Sequence, residues 1–364
     1  MDSRWMDARN LLLVRLDNLG DVLLCTPAFH AVRDTLPGAR LTLLASPVGA
    51  QVAELNPDLD DVIVYQAPWM DAWGRLPQDS GREQGMVQLL KERGFDGAII
   101  FTSFHQSPLP AAYLAYLADI PLRLGASIDG SGSLLTTRHK HPEKPLMHEV
   151  ERALDLVGAE GFRASDLRLV LRVAPEDRSA MRGRLNVAGV SEDRPLVVVH
   201  PGCSMPARTY PWEMFAQAAD LMAGKMGYQV VLTGDAREVE LAERVRGRLG
   251  HRAVSLAGQA TFREFAALLS LADVVVTNNT GPAHVAAAVK TPVVDLFALT
   301  NPPEQWRPWG VPHRLLHKEV PCALCYSRVC PYHQECLVGV SPAEVAAAAR
   351  DLVEETAGGR GDDR

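Results

Sequence analysis

Five short stretches place chemically capable residues at the ends of apolar runs. The first, RLDNLGDVLLCTP from Arg15 to Pro27, sets Gly20 and Asp21 just after LLLV at Leu11 to Val14. A glycine there lets main chain approach a ligand, and a carboxylate on a βα turn sits at the mouth of a sheet. The same two residues also read as a relieved turn and a simple helix cap. VVVHPGCSMPARTYPWEMF closes a second run with His200, Pro201 and Gly202, passes Cys203 and Ser204, and carries Arg208 before a helix opening at Pro211 and Trp212. LTGDAREVE ends a third in Gly234 and Asp235, with Glu238 just inside the next helix. VVVTNNTGPAHVAAA leads through Asn279, Thr280 and Gly281 into a small-residue helix bearing His284, and LFALTNPPEQWRPWG ends the last in a proline-rich loop.

The fourth stretch points most directly to a ligand. Gly281 permits close main-chain approach, Pro282 suits the first helical position, and the alanines after His284 let the helix pack close to a sheet. Free amides at such a helix start, at the positive end of its dipole, bind phosphate. A well-capped helix with a buried histidine is the other reading of the same letters. Arg208, at a neighbouring strand end, supplies a cation and favours a diphosphate site.

Four of the six cysteines, Cys322, Cys325, Cys330 and Cys336, cluster as C-x2-C-x4-C-x5-C. That spacing is tighter than a two-pair zinc ribbon, so packed reduced thiols and a structural zinc both stay open. Cys25 falls on an apolar helix face and reads as core, while Cys203 borders the second strand end.

Apolar β-rich runs at Leu11 to Val14, Leu41 to Ala45, Val62 to Tyr65 and Ala98 to Thr102, which must position these residues, alternate with helical patterns or turns. The text then turns charged and irregular between Arg163 and Pro195. Alternation restarts with Leu196 to Val199, Gln229 to Thr233, Val254 to Leu256, Val274 to Thr277 and Val293 to Leu296. This pattern predicts two α/β, Rossmann-like domains, 1–165 and 196–357, joined by a linker region at 166–195 and followed by a disordered tail at 358–364. Ser341 and Pro342 begin a final helix as N-cap and first residue. Each open parallel sheet places its ligands outside the carboxyl ends of its strands.

With 364 residues and 47% hydrophobic content, the chain is an ordinary globular protein large enough for two cores. Its formal charge of -7 argues against nucleic acid as a partner. The acid excess lies within the first 160 residues, which hold 14 Lys and Arg against 21 Asp and Glu. One local run there, Arg138, His139, Lys140 and His141 with Lys144, is basic: a solvated loop, or an anion-contacting one. No basic-then-apolar leader and no run of about 18 apolar residues appears, which predicts a cytoplasmic protein with at most peripheral membrane contact. A dehydrogenase is disfavoured because no G-x-G-x-x-G follows the first strand.

NLGDVLLCTPA, HPG with RTYPWE, TNNTGPAHVAAA followed by KTPVV, and CALCYSRVCPYHQECL together resemble glycosyltransferase family 9, the ADP-heptose heptosyltransferases of lipopolysaccharide synthesis, over most of residues 10 to 355. The resemblance implies a GT-B fold, two Rossmann-like domains facing across a cleft with the C-terminal helix packing back, acceptor held mainly by the first and nucleotide sugar by the second. It implies inverting transfer of a heptose or related sugar from an ADP-sugar, with no cofactor required and no metal. Asp21 then corresponds to the family's general base and Arg208 to the diphosphate cation, where relatives often have Lys. Gly20, Gly202, Cys203, Ser204, Glu238, Asn279, Thr280, Gly281 and His284 fall to the donor site, and Arg138, Lys140 and Lys144 are candidate acceptor contacts. The family's acid before the TG turn is replaced by Asn279. Lipopolysaccharide core is anionic and matches an acidic first half poorly. A small neutral or cationic acceptor is therefore an alternative within the same chemistry, and a binding module without transfer activity is another. An epimerase of the UDP-sugar type shares the architecture but not these motifs.

Overall fold

A computed structural model describes residues 3–71, 73–142 and 146–357, so Lys144 and the tail from 358 lie outside the described residues. The chain forms two compact units, Met1–Leu171 and Arg172–Arg364.

The first unit runs β1 (Asn10–Arg15), α1 (Leu19–Thr35), β2 (Arg40–Ala45), β3 (Asp61–Val64), α2 (Ser80–Arg93), β4 (Gly97–Ile100), α3 (Leu109–Leu117), β5 (Leu122–Ala126), β6 (Thr137–His139) and α4 (Glu149–Gly158). Its six strands are all parallel, in the order β3-β2-β1-β4-β5-β6. β1 and β4 are apolar at nearly every position because helices cover both faces of the sheet. One face buries Leu12, Val14, Ile63, Ala98 and Ile100 with Leu90, Ala112 and Ala115 from α2 and α3. α1 and α4 pack against each other. Each such Leu, Ile or Val contributes roughly 1.5–3 kcal/mol on burial, which makes the central strands the rigid frame of the unit.

The second unit runs α5 (Pro175–Val187), β7 (Leu196–His200), α6 (Trp212–Lys225), β8 (Gln229–Leu232), α7 (Val239–Arg248), β9 (Ala253–Ser255), α8 (Phe262–Leu271), β10 (Val274–Asn278), α9 (Gly281–Ala288), β11 (Val293–Leu296), α10 (Pro303–Trp306), β12 (His313–Leu316), α11 (Glu335–Val338) and α12 (Pro342–Ala357). Its sheet, β12-β11-β10-β7-β8-β9, is again six parallel strands with the same winding as the first. Ser341 caps α12 through a reciprocal pair with Glu344, whose Oε2 accepts from the Ser341 amide at 2.8 Å. α12 packs back on its own unit, against α6 and β10 to β12, burying Val345, Ala346, Ala349 and Leu352.

The stretch expected as a linker, 166–195, carries α5, and α5 packs on α8 as part of the second unit. The reason lies in Met181 and Leu185, one turn apart on an otherwise charged helix and both buried. In each sheet the winding reverses at one point, between β1 and β4 in the first unit and between β7 and β10 in the second. Loops diverge there and leave room at the carboxyl ends of the strands.

Candidate active site

In the first unit the reversal point is organised by a buried cation. Arg15 ends β1 at 1% exposure. Its Nε lies 2.9 Å from Asp17 Oδ2, and its Nη2 lies 3.3 Å from Asp21 Oδ1 and 4.0 Å from Glu149 Oε2. The same Nη2 donates to Ser103 Oγ at 2.6 Å, which joins the ends of β1 and β4. Asp21 is the third residue of α1 and does cap it: Oδ2 accepts from the Asn18 amide at 3.2 Å. Gly20 is buried inside the first turn of α1, because Asn18 takes the cap position. The Asp21 side chain keeps 16% exposure, so one side of a carboxylate tethered through both oxygens remains open.

Behind Arg15, Glu149 at the start of α4 also pairs with Arg152, whose Nε lies 3.2 Å from Oε1. Burial pushes the Glu149 carboxyl up to about 7 even though both guanidinium groups pull it down. Cys25, on the buried face of α1, lines the same small chamber; its burial pushes the thiol up to about 12, so it is a protonated core residue as expected.

In the second unit the reversal point collects the residues of the HPG and TNNTGPAH stretches. Asn278, fully buried at the end of β10, holds both ends of the β7–α6 loop through main-chain groups: its Oδ1 accepts from the Tyr210 amide at 2.8 Å, and its Nδ2 donates to the carbonyls of Pro201 and Gly202 at 2.9 and 3.2 Å. That brings Arg208, two residues before Tyr210, to the edge where α9 begins. Arg208 Nε donates to Thr300 Oγ1 at 3.0 Å. Thr280 is the N-cap of α9 in extended conformation, Gly281 is its first residue, and Pro282 therefore stands second rather than first. Cys203 bonds Thr280 and lies near Arg208 and Glu238; burial raises its thiol despite those first two neighbours. His284 is buried on α9, and Ser204 is exposed.

Glu238 is the N-cap residue of α7. Its Oε2 accepts from the Asp235 amide at 2.8 Å and lies 3.4 Å from His200 Nε2. Burial pushes its carboxyl up, but the hydrogen bonds and charge of His200 and the amide hold it below the usual range. A Cβ on residue 202 would fall 2.0 Å from Glu238 Oε1. A side chain at 202 would therefore displace this carboxylate from its place beside His200. Asn279 Nδ2 faces Asp295 Oδ2 at 3.4 Å. Asp295, in β11, is fully buried; burial pushes its carboxyl up to about 7 against the Asn279 hydrogen bond and the Arg208 charge.

Arg138 is exposed and donates to the Asp129 carbonyl at 3.2 Å, and Lys140 is exposed beside it. The four clustered cysteines are free thiols, and among the described residues they do not gather three ligand atoms within 4.8 Å of one another. Their segment instead docks by main chain: the amides of Leu324 and Tyr326 donate to the carbonyls of Leu299 and Thr300 at 2.7 and 2.8 Å, behind the loop that meets Arg208. Arg15, Glu149, Asn278 and Asp295 were not singled out from sequence. An arginine closing an apolar strand is the one local signal, since a buried guanidinium demands carboxylate partners.

Residues 85–335 match the family model described as glycosyltransferase family 9 (heptosyltransferase), more than half of the chain. Lipopolysaccharide heptosyltransferase 3 of Escherichia coli K12 is 26% identical over 293 residues, covering 80% of this chain and 82% of that protein. Among solved structures, a family 9 glycosyl transferase from Veillonella parvula aligns with a TM-score of 0.78 at 21% identity, covering 95% of this chain and 97% of that one. ADP-heptose lipopolysaccharide heptosyltransferase II of Escherichia coli aligns with a TM-score of 0.76 at 22% identity, covering 96% and 99%. The fold is the GT-B fold of these enzymes. No helix among the described residues is long and apolar enough to cross a membrane.

Proposed function

Since the chain belongs to glycosyltransferase family 9, we propose that it moves a heptose or closely related sugar from an ADP-linked donor to an acceptor hydroxyl, with inversion and without a metal in the transfer step. Asp21 takes the acceptor proton as the hydroxyl oxygen attacks the anomeric carbon. The bond from that carbon to the diphosphate oxygen breaks, and ADP leaves with the electron pair. Arg208 and the amides at the start of α9 stabilise the charge on the leaving diphosphate.

The observation that carries this reading is the joining of Arg208 to the Thr280–Gly281 helix start through Asn278, which assembles fixed donors and a cation at the winding reversal of the second sheet. Glu238, with His200 and the close approach of Gly202, is the group we assign to the nucleoside end. The names of the relatives point to lipopolysaccharide as acceptor. A second reading, a small neutral or cationic acceptor, is favoured by the charge of the first 160 residues, while the exposed cations Arg138 and Lys140 of its basic run favour the anionic one.

The test is a donor panel. The chain is incubated with ADP-heptose, UDP-sugars and GDP-sugars, and release of the nucleoside diphosphate and the anomeric configuration of the product are followed by NMR. Turnover of the ADP-sugar with inverted product is expected; preference for a uridine or guanosine donor, or retention, overturns the reading.

A further inference from the structure

The basic run at 138 to 141 has two faces. β6 and the residues after it alternate, so Arg138 and Lys140 are exposed while His139 and His141 are part-buried and meet one partner. His139 Nε2 lies 2.6 Å and His141 Nδ1 2.7 Å from the same oxygen, Oδ2, of Asp155 on α4. The rings stand edge to face with centroids 5.0 Å apart. Among the described residues this is the one set of three histidine, cysteine or carboxylate ligand atoms that all lie within 4.8 Å of one another.

We propose that His139, His141 and Asp155 form a binding site for a divalent transition-metal ion of the zinc class, which clips edge strand β6 to α4. Two imidazole nitrogens select Zn²⁺, Co²⁺ or Ni²⁺ over Mg²⁺ or Ca²⁺, and three protein ligands leave the fourth tetrahedral position to water. Metal–nitrogen bonds of about 2.0–2.1 Å put tetrahedral ligand atoms about 3.3 Å apart. The two nitrogen–oxygen distances are shorter than that, so insertion widens them, which the Asp155 side chain, 30% exposed, has room to allow. The ligands come from two elements that are already fixed, β6 by pairing to β5 and α4 by packing on α1. The clip would stiffen the helix that begins with Glu149. It takes no part in the transfer step proposed above.

The full chain, stripped with chelator and dialysed, is titrated with Co²⁺ while absorbance is followed from the near ultraviolet to the visible. One equivalent giving visible d–d bands without thiolate charge-transfer bands is expected, displaced by Zn²⁺. H139Q and H141Q should each weaken it by at least roughly tenfold, and C330S should leave it unchanged. Zn²⁺ should raise the thermal midpoint of wild type and C330S but not of H139Q. No Co²⁺ binding means the triad is hydrogen-bonded only, and binding that shows thiolate bands and ignores the histidine variants assigns the ion to the cysteine segment; either result overturns the proposal. Should H141Q fail to fold, H139Q and D155N decide the matter.

Discussion

Arg15 Nη2 reaches Asp21 Oδ1 at 3.3 Å from the buried end of β1, while the other oxygen of the same carboxylate is held by the Asn18 amide. The acid is thereby fixed at both oxygens and still partly open. For the proposed base this means a set direction, and a helix cap that survives the isosteric amide. D21N is expected to lower kcat by roughly 10²–10⁴-fold, with ADP affinity by calorimetry unchanged. Turnover near the wild-type rate would remove the base assignment.

Arg208 is predicted to act on donor and leaving group together. R208A should cost roughly 10²–10³-fold in kcat/KM, and R208K should recover only part of it, because an ammonium cannot keep both the Nε bond to Thr300 and a contact to diphosphate. Steady-state kinetics with varied donor check this; full activity in R208K would show that point charge alone suffices.

Asp295 links donor binding to protons. Burial holds its carboxyl up to about 7, and Arg208 opposes that. A bound diphosphate takes over the cation, the opposing pull weakens, and Asp295 takes up a fraction of a proton at neutral pH. Calorimetry of ADP binding in buffers of different ionisation enthalpy should detect this uptake in wild type and not in D295N. Equal uptake in both proteins would place the proton elsewhere.

Glu149 gives stability a pH dependence of definite sign. A carboxyl raised from 4.5 to about 7 binds more protons folded than unfolded, so its contribution is lost as pH climbs from about 4.5 and has gone above about 7. E149Q lacks this loss and should gain on wild type by up to about 3 kcal/mol between pH 5 and pH 8. Urea unfolding at the two pH values measures it. A gap that stays constant, or narrows with rising pH, contradicts the assignment.

Strands buried on both faces were legible as unbroken apolar runs, and Leu11 to Val14, Leu196 to Val199 and Val274 to Thr277 fall inside β1, β7 and β10. β5, β6 and β12 were not read. β5 carries Arg123, which is buried yet satisfied by the carbonyls of Leu134 and Ser133 at 2.7 and 2.8 Å, a compensation no local pattern reveals. β6 and β12 are short edge strands, where period-2 alternation has little length to show itself. Local motifs revealed Asp21, Arg208 and the Thr280–Gly281 start because each lies within one stretch of chain. Glu149 and Asp295 matter through neighbours 134 and 87 residues away, Arg15 and Arg208, and such pairings exist only once the sheets are wound.

Asn278 spends its whole amide on main-chain groups: one N–H and two carbonyls, from three residues. Since any amino acid supplies a carbonyl and all but proline an N–H, this anchoring asks nothing of the side chains at those three positions; Gly202 is confined instead by Glu238 and Tyr210 by the core around it. Retuning which nucleotide or sugar is accepted is then open to point changes in the surrounding loops, whereas position 278 itself tolerates no residue that lacks both a donor and an acceptor.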